Sequence, residues 1–189
     1  MKVVAIYPNH LRNASCIFRH YSAIIGPVET LKESECRSAC PVANALDVVG
    51  DRWTLLVIRD LMFMNKHEYH EFVNGPEGIA TNILSDRLKR LVCTGLIDSF
   101  AHPDHKSKKL YYLTPKGKDL LPLMVEMILW GGTYRASPDM PKAHFNKIKR
   151  NPEKFIRNTI QELQGWEKKH IQKEQLKEGR GGGRKRKEK

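Results

Sequence analysis

The stretch Glu77-Gly78-Ile79-Ala80-Thr81-Asn82-Ile83-Leu84-Ser85-Asp86-Arg87-Leu88-Lys89-Arg90-Leu91-Val92-Cys93-Thr94-Gly95-Leu96-Ile97 decides the fold. It reads as a short helix. Thr81 is expected to accept an orphan backbone N–H at its start, and Gly95 to take the left-handed conformation that ends it. Leu84, Leu88 and Leu91 recur at spacings of four and three, so they share a face turned to a core. Asn82, Ser85, Asp86 and Lys89 fall on the opposite face, with Arg87 and Arg90 at its flanks. Small polar groups beside cations suit a helix lying in a DNA major groove, where side-chain amides and hydroxyls read base edges and cations hold phosphates. An ordinary amphipathic helix has the same face, so the neighbouring sequence must decide.

After Gly95 come Leu96-Ile97-Asp98-Ser99-Phe100-Ala101, a polar stretch from His102 to Lys109, and Leu110-Tyr111-Tyr112-Leu113-Thr114. Two strand-like runs about a lysine-bearing tip predict a β-hairpin. Helix, glycine, then basic hairpin is the order of a winged helix-turn-helix, with the helix in the groove and the wing on the DNA backbone.

Upstream, Val42, Ala45, Leu46 and Val49 form an apolar face on a helix that begins near Pro41 and stops at Gly50. Asp51 is placed to cap a second helix, Trp53 to Met62, that is apolar almost all round. Asn65 and Lys66 predict a turn, Glu68–Val73 a brief helix, and Asn74-Gly75-Pro76-Glu77-Gly78 another turn. Downstream, Thr114 and Pro115 open a helix that carries Leu120, Leu121, Leu123, Met124, Met127, Ile128, Leu129 and Trp130 up to Gly131. That is more apolar surface than one small core can use, so part of it is expected to meet a second subunit. A final helix is predicted from Pro152 to about Leu176. The fold class expected is mainly α with a small β-hairpin wing, dimeric through flanking N- and C-terminal helices. The domains expected are an N-terminal extension over 1–35, a winged helix-turn-helix DNA-binding domain over 36–132, a C-terminal helical extension over 133–178 and a disordered basic tail over 179–189.

Of 189 residues, 33 are Lys or Arg against 21 Asp or Glu, a formal net charge of +12 that favours a polyanionic partner. Part of the excess is local, since Gly179–Lys189 holds Arg180, Arg184, Lys185, Arg186, Lys187 and Lys189 against Glu188 alone. Four cysteines (Cys16, Cys36, Cys40 and Cys93) are too sparse for a disulfide scaffold. No run of about 18 apolar residues is present to span a bilayer, and charged residues interrupt any signal-peptide core near the N-terminus. A cytoplasmic protein with no membrane association is expected.

The stretch Cys40-Pro41-Val42, then Ala45-Leu46-Asp47-Val48-Val49-Gly50-Asp51-Arg52-Trp53-Thr54-Leu55-Leu56-Val57-Ile58-Arg59-Asp60-Leu61, resembles the opening of HxlR-type transcription regulators, relatives of the MarR winged-helix proteins. The likeness continues through Gly78–Leu88 and Gly95-Leu96-Ile97 and closes on Tyr112-Leu113-Thr114-Pro115-Lys116-Gly117. It covers about residues 36–132. It implies a homodimer bound to a pseudo-palindromic operator. In some members the cysteine before Pro-Val, here Cys40, senses oxidants or electrophiles. The resemblance therefore makes Cys40 a redox-sensing candidate, with Cys36 or a partner-subunit cysteine to resolve it and an oxidant or small molecule as inducer. A helix dipole, helped by Arg37, would favour the Cys40 thiolate; against this, free cysteines are mostly inert small hydrophobes.

Other constellations carry less. His67 and His70 have a chelating spacing but no third ligand nearby, and Cys36 with Cys40 lack a companion pair, so no metal is expected. No phosphate loop, nucleophile elbow or zinc-protease motif is present, so neither enzyme activity nor a cofactor is expected. The reading is a sequence-specific regulator of transcription acting on double-stranded DNA. Thr81, Asn82, Ser85 and Lys89 would discriminate bases, Arg87 and Arg90 would hold phosphate or pair with a carboxylate, and Lys106, Lys108 and Lys109 would track the backbone. Two competing readings are a non-specific nucleic-acid binder driven by the basic tail and a winged module that binds protein.

Overall fold

The structure is a computed structural model that describes residues 38–135 and 140–181. Two units are distinguished along the chain, Met1–Asn44 and Ala45–Lys189. The described part of the first is the turn at Ser38, whose hydroxyl accepts the Cys40 backbone N–H at 3.1 Å, and the opening of helix α1, Pro41–Val49. The expected N-terminal extension over 1–35, with Cys16, lies outside the described residues, as do Cys36 and Arg37.

Helix α2, Arg52–Phe63, begins where expected: the Asp51 carboxylate accepts the backbone N–H groups of Trp53 and Thr54, both at 3.0 Å. Asn65 then turns the chain with a positive φ of 49°. Helix α3, Tyr69–Val73, starts on a reciprocal cap in which Glu71 accepts the backbone N–H groups of His67 and Glu68, each at 2.7 Å. Burial pushes the Glu71 carboxyl up, but those two N–H groups, with the charges of His70 and His67, together hold it below its ordinary range.

Helix α4, Thr81–Cys93, corrects one expectation: Thr81 is not its cap. Ala80 occupies that position without a side-chain bond, and Thr81 is already helical. Its other end is as read. Gly95 has a φ of 68°, the Leu96 N–H reaches the Leu91 carbonyl at 3.0 Å and the Gly95 N–H reaches Val92 at 2.9 Å. That pair of bonds closes the helix and turns the chain straight into the wing.

Strands β1, Ile97–His102, and β2, His105–Leu113, pair antiparallel from Ile97 opposite Leu113 to Ala101 opposite Lys109. The turn is only Pro103-Asp104, so Lys106, Lys108 and Lys109 are strand residues and not a loop at the tip. Pairing continues farther than apolar content suggests because exposed hairpin strands need no alternating burial. Glu68 bridges Leu110 on the far edge of β2, tying the start of α3 to the wing.

Thr114 caps helix α5, Pro115–Lys118, accepting from the Gly117 N–H at 3.2 Å. One continuous helix was expected from here to Gly131, but the chain breaks at Asp119-Leu120 and restarts as α6, Leu121–Tyr134. Pro122 is the physical reason: it offers no N–H to a preceding turn and is tolerated only at a helix start. Helix α7, Lys142–Arg150, was not expected. Helix α8 runs Pro152–Gly181, so residues 179–181 are helical and not tail; 182–189 lie outside the described residues. Asn151 caps it, accepting the Lys154 N–H at 2.9 Å.

The core of the second unit gathers Ile58 and Leu61 of α2, Phe72 of α3, Leu84, Leu88 and Leu91 of α4, Leu96 and Leu113 of the wing, and Leu121 and Val125 of α6. Ile148 of α7 and Leu163 of α8 join it, so the C-terminal helices pack on the winged unit. Gly132 packs close there: a Cβ on it would push against the Phe145 ring of α7.

Candidate nucleic-acid interface

The burial of Leu84, Leu88 and Leu91 fixes which face α4 shows to solvent. Thr81, Asn82, Asp86, Lys89 and Arg90 are exposed, and Ser85 is half-buried. Two struts hold that face. From α3, the Tyr69 hydroxyl donates to the Thr81 carbonyl at 2.8 Å and shares a hydrogen with the Ser85 hydroxyl at 2.9 Å. From α2, Arg59 grips the Glu77 carboxylate with both terminal nitrogens and Asp60 through Nε at 2.9 Å, while Lys66 meets the other Asp60 oxygen at 2.7 Å. The Glu77 hydrogen bond raises the Arg59 pKa, and the same contact holds the Glu77 carboxyl below its ordinary range. Asp60 is only 4% exposed, so this buried carboxylate is compensated by two cations. The result is a fixed turn leading into α4.

The two arginines expected to hold phosphate are already engaged within the chain. Arg87 lies 3.2 Å from Asp51 and 3.9 Å from Asp86, with 21% of its side chain exposed, and Arg90 donates to the Asp47 carbonyl at 2.5 Å. Both tie α4 to the segment before α2. Lys89 makes no ion pair among the described residues. Asp86, by contrast, stands in solvent with 71% of its side chain exposed.

On the wing, Lys108 lies 3.4 Å from Glu68, Lys109 is exposed without an ion pair among the described residues, and the Lys106 side chain lies outside the described ones. His102 stands 3.9 Å from the same Glu68 carboxylate. The Tyr112 hydroxyl donates to Asp98 at 3.1 Å; burial first, then the Asp98 charge, pushes that phenol up to about 12. The exposed face of α4 and the exposed strand β2 are joined through Glu68 and Tyr69 of the α3 cap. This is a polar, cation-bearing surface on a rigid support.

The histidine pair separates. His70 is exposed and lies 3.4 Å from Glu68. His67 is 6% exposed, its Nδ1 lies 2.8 Å from the Tyr111 carbonyl, and its ring stacks on Trp166 of α8 at 3.6 Å. Burial lowers its pKa, which keeps the ring neutral. Trp166 in turn stacks on His170 at 4.3 Å, and Lys118 meets Glu167 at 2.6 Å. Sequence reasoning missed this docking of α8 because nothing in local spacing marks a histidine as the seat of a tryptophan far along the chain. It missed Tyr69 for the same reason. Among the described residues no three His, Cys, Asp or Glu converge as metal ligands. Cys40 and Cys93 are exposed. No described helix is long and apolar enough to cross a membrane.

A family model described as HxlR-like helix-turn-helix matches residues 48–139. The chain is similar to an uncharacterised HTH-type transcriptional regulator of Mycobacterium tuberculosis, 35% identical over 100 residues, and spans 62% of that relative's length. It is similar to the uncharacterised HTH-type transcriptional regulator YdzF of Bacillus subtilis, 31% identical over 52% of this chain and 91% of YdzF. Among solved structures, PA1607, a candidate transcription factor, aligns with a TM-score of 0.50 and 39% identity over 57% of this chain and 74% of that one.

Proposed function

Because this chain belongs to the HxlR-like helix-turn-helix family, we propose that it regulates transcription by binding a pseudo-palindromic site in double-stranded DNA as a homodimer. The observation that carries this reading is the exposed Asn82–Lys89 face of α4, locked from behind by Tyr69 and the Arg59–Glu77 pair. A groove-reading helix gains specificity from a fixed face, because loosely held side chains pay ordering entropy on binding. Thr81, Asn82, Ser85 and Lys89 read bases; Lys106, Lys108 and Lys109 follow the phosphates. Arg87 and Arg90 serve as struts that set the pose of α4, which refines the phosphate role expected of them. The cations of the wing attract any duplex in a salt-dependent way, and α4 sorts sequences.

Dimerisation is supported by apolar surface left exposed among the described residues. Val42 and Leu46 of α1 are 66% and 60% exposed, and Leu123, Met127, Trp130 and Tyr134 of α6 are 44%, 44%, 62% and 70% exposed. So much exposed apolar area on two helices marks an association surface. A thiol input at the exposed Cys40, next to the α1 start, is part of the proposal.

The test uses duplexes that the protein itself selects from a random library. Asn82→Ala should cost about 1–3 kcal/mol on the selected duplex and little on random DNA. Lys109→Ala should weaken both alike and lower the salt slope by about one. If both variants act equally on both DNAs, the division between α4 and wing is wrong. If removing Gly179–Lys189 abolishes binding while Asn82→Ala leaves it intact, the protein is a tail-driven, non-specific binder instead.

A further inference from the structure

We propose that Asp86 is a specificity-determining residue of the DNA face. It accepts a hydrogen bond from the N4 amino group of a cytosine in each half-site and disfavours every other base at that position. This role rests on the DNA-binding reading above and names part of what that surface recognises.

Helix α4 carries one acidic residue, Asp86. Steps of about 100° per residue put Asn82, Asp86 and Lys89 on one line, directly opposite the buried Leu84, Leu88 and Leu91. All three are exposed, and Asp86 stands between the other two with 71% of its side chain in solvent. Its neighbours in sequence are both held from behind. The Ser85 hydroxyl lies 2.9 Å from the Tyr69 hydroxyl, and Arg87 lies 3.2 Å from Asp51. The backbone at position 86 is therefore fixed, and a short side chain on it has little freedom to lose on binding.

The cations within reach do not neutralise this carboxylate. Arg87 is 3.9 Å away and sits closer to Asp51, while Arg90 donates to the Asp47 carbonyl. Lys89 makes no ion pair among the described residues. A bare carboxylate on a helix that lies between two rows of phosphates weakens binding to DNA in general. Only a hydrogen-bond donor on the groove floor offsets that repulsion.

The chemistry of the bases narrows the choice. An ionised aspartate accepts and cannot donate. Guanine shows it two acceptors, thymine an acceptor and a methyl group, and adenine an amino group beside the N7 acceptor. Cytosine presents an amino group with no acceptor of its own alongside. The bracketing residues have different preferences: the Asn82 amide donates and accepts, which fits adenine, and the Lys89 ammonium only donates, which fits guanine. A rise of about 1.5 Å per residue sets Asn82 and Lys89 roughly 10 Å apart along the axis, about three base-pair steps of roughly 3.4 Å. The three side chains thus reach different pairs of one half-site, with Asp86 at the inner one. Its charge attracts one base and rejects the rest.

The test takes the duplex that the full chain selects from a random library and replaces each base pair of a half-site in turn by the other three. Binding is followed by fluorescence anisotropy for the native chain, Asp86→Asn and Asp86→Glu, each checked for native thermal unfolding. The native chain should prefer cytosine at one position by roughly tenfold. Asp86→Asn should cut that preference to about twofold or move it to adenine, whose N6 and N7 suit an amide, and keep the native preferences elsewhere. It should also bind random duplex severalfold tighter at low salt, a gain that fades as salt screens the charge. Asp86→Glu should retain cytosine. An Asp86→Asn profile equal to the native one at every position, a loss spread evenly over all positions, or no gain on random duplex would each overturn the proposal. If the native chain selects no duplex, the regulator reading falls and this role with it. A selected duplex whose profile ignores Asp86→Asn removes this role alone and leaves the regulator reading standing.

Discussion

The contact between Lys118 and Glu167 provides a sharp test of whether α8 is docked on the winged unit. The ammonium lies 2.6 Å from each carboxylate oxygen, and the two side chains are 7% and 21% exposed. Their unequal burial makes the two halves of the pair unequal to lose. Lys118→Met keeps the apolar stem in place and leaves a carboxylate with access to water, so it should cost about 1 kcal/mol. Glu167→Leu strands an ammonium that has almost no access to water, and should cost about 3 kcal/mol. The double variant replaces the pair by two apolar groups and should recover most of that loss. For a chain of this size each kcal/mol moves Tm by roughly 2–4 °C, so thermal unfolding resolves the three. A Glu167→Leu change that leaves Tm within about one degree of the native value, or a double variant whose loss is the sum of the singles, would mean that α8 is not seated against α5.

Two further outcomes follow from the same geometry. His67 is held neutral below its ordinary pKa of 6.5 by burial against Trp166. As pH falls below 6.5 the unfolded chain takes up a proton that the folded ring resists, so stability should fall on acidification below that value and recover as pH rises through it. Denaturant midpoints on either side of that value should lose part of this slope in His67→Gln, and an unchanged slope would show that the ring titrates freely. Cys40, exposed at the start of α1, should give a mobility shift or a covalent dimer on non-reducing gels after mild oxidant, lost in Cys40→Ser; a native pattern that ignores oxidant would remove the thiol input.

Local chemistry made much of this protein legible in its residues. The leucines of α4 recur at helical spacing, Asp51 and Thr114 are cap residues followed by helix formers, and Gly95 must take a left-handed backbone that other residues resist. These effects act within one or two turns, and a sequence displays them directly. The same reasoning failed wherever a competing local term went unweighed. Pro122 broke a helix that apolar content alone had joined, and Ala80 held a cap position that side-chain chemistry had given to Thr81.

What the sequence by itself determined is the order helix, short helix, turn, helix, hairpin and the outward face of α4, because periodicity chooses which side of an element leaves water. Only the tertiary structure decided the use of each polar group. Arg87 and Arg90 face Asp51 and the Asp47 carbonyl, Tyr69 holds Ser85, and Trp166 rests between His67 and His170. Such pairings depend on distance in space, which chain spacing does not encode, and a cation is drawn to whichever acceptor the packed core brings within reach. The contact between Phe63 and Phe155 has the same origin: buried Ile148 and Leu163 hold two distant helices on the end of a third.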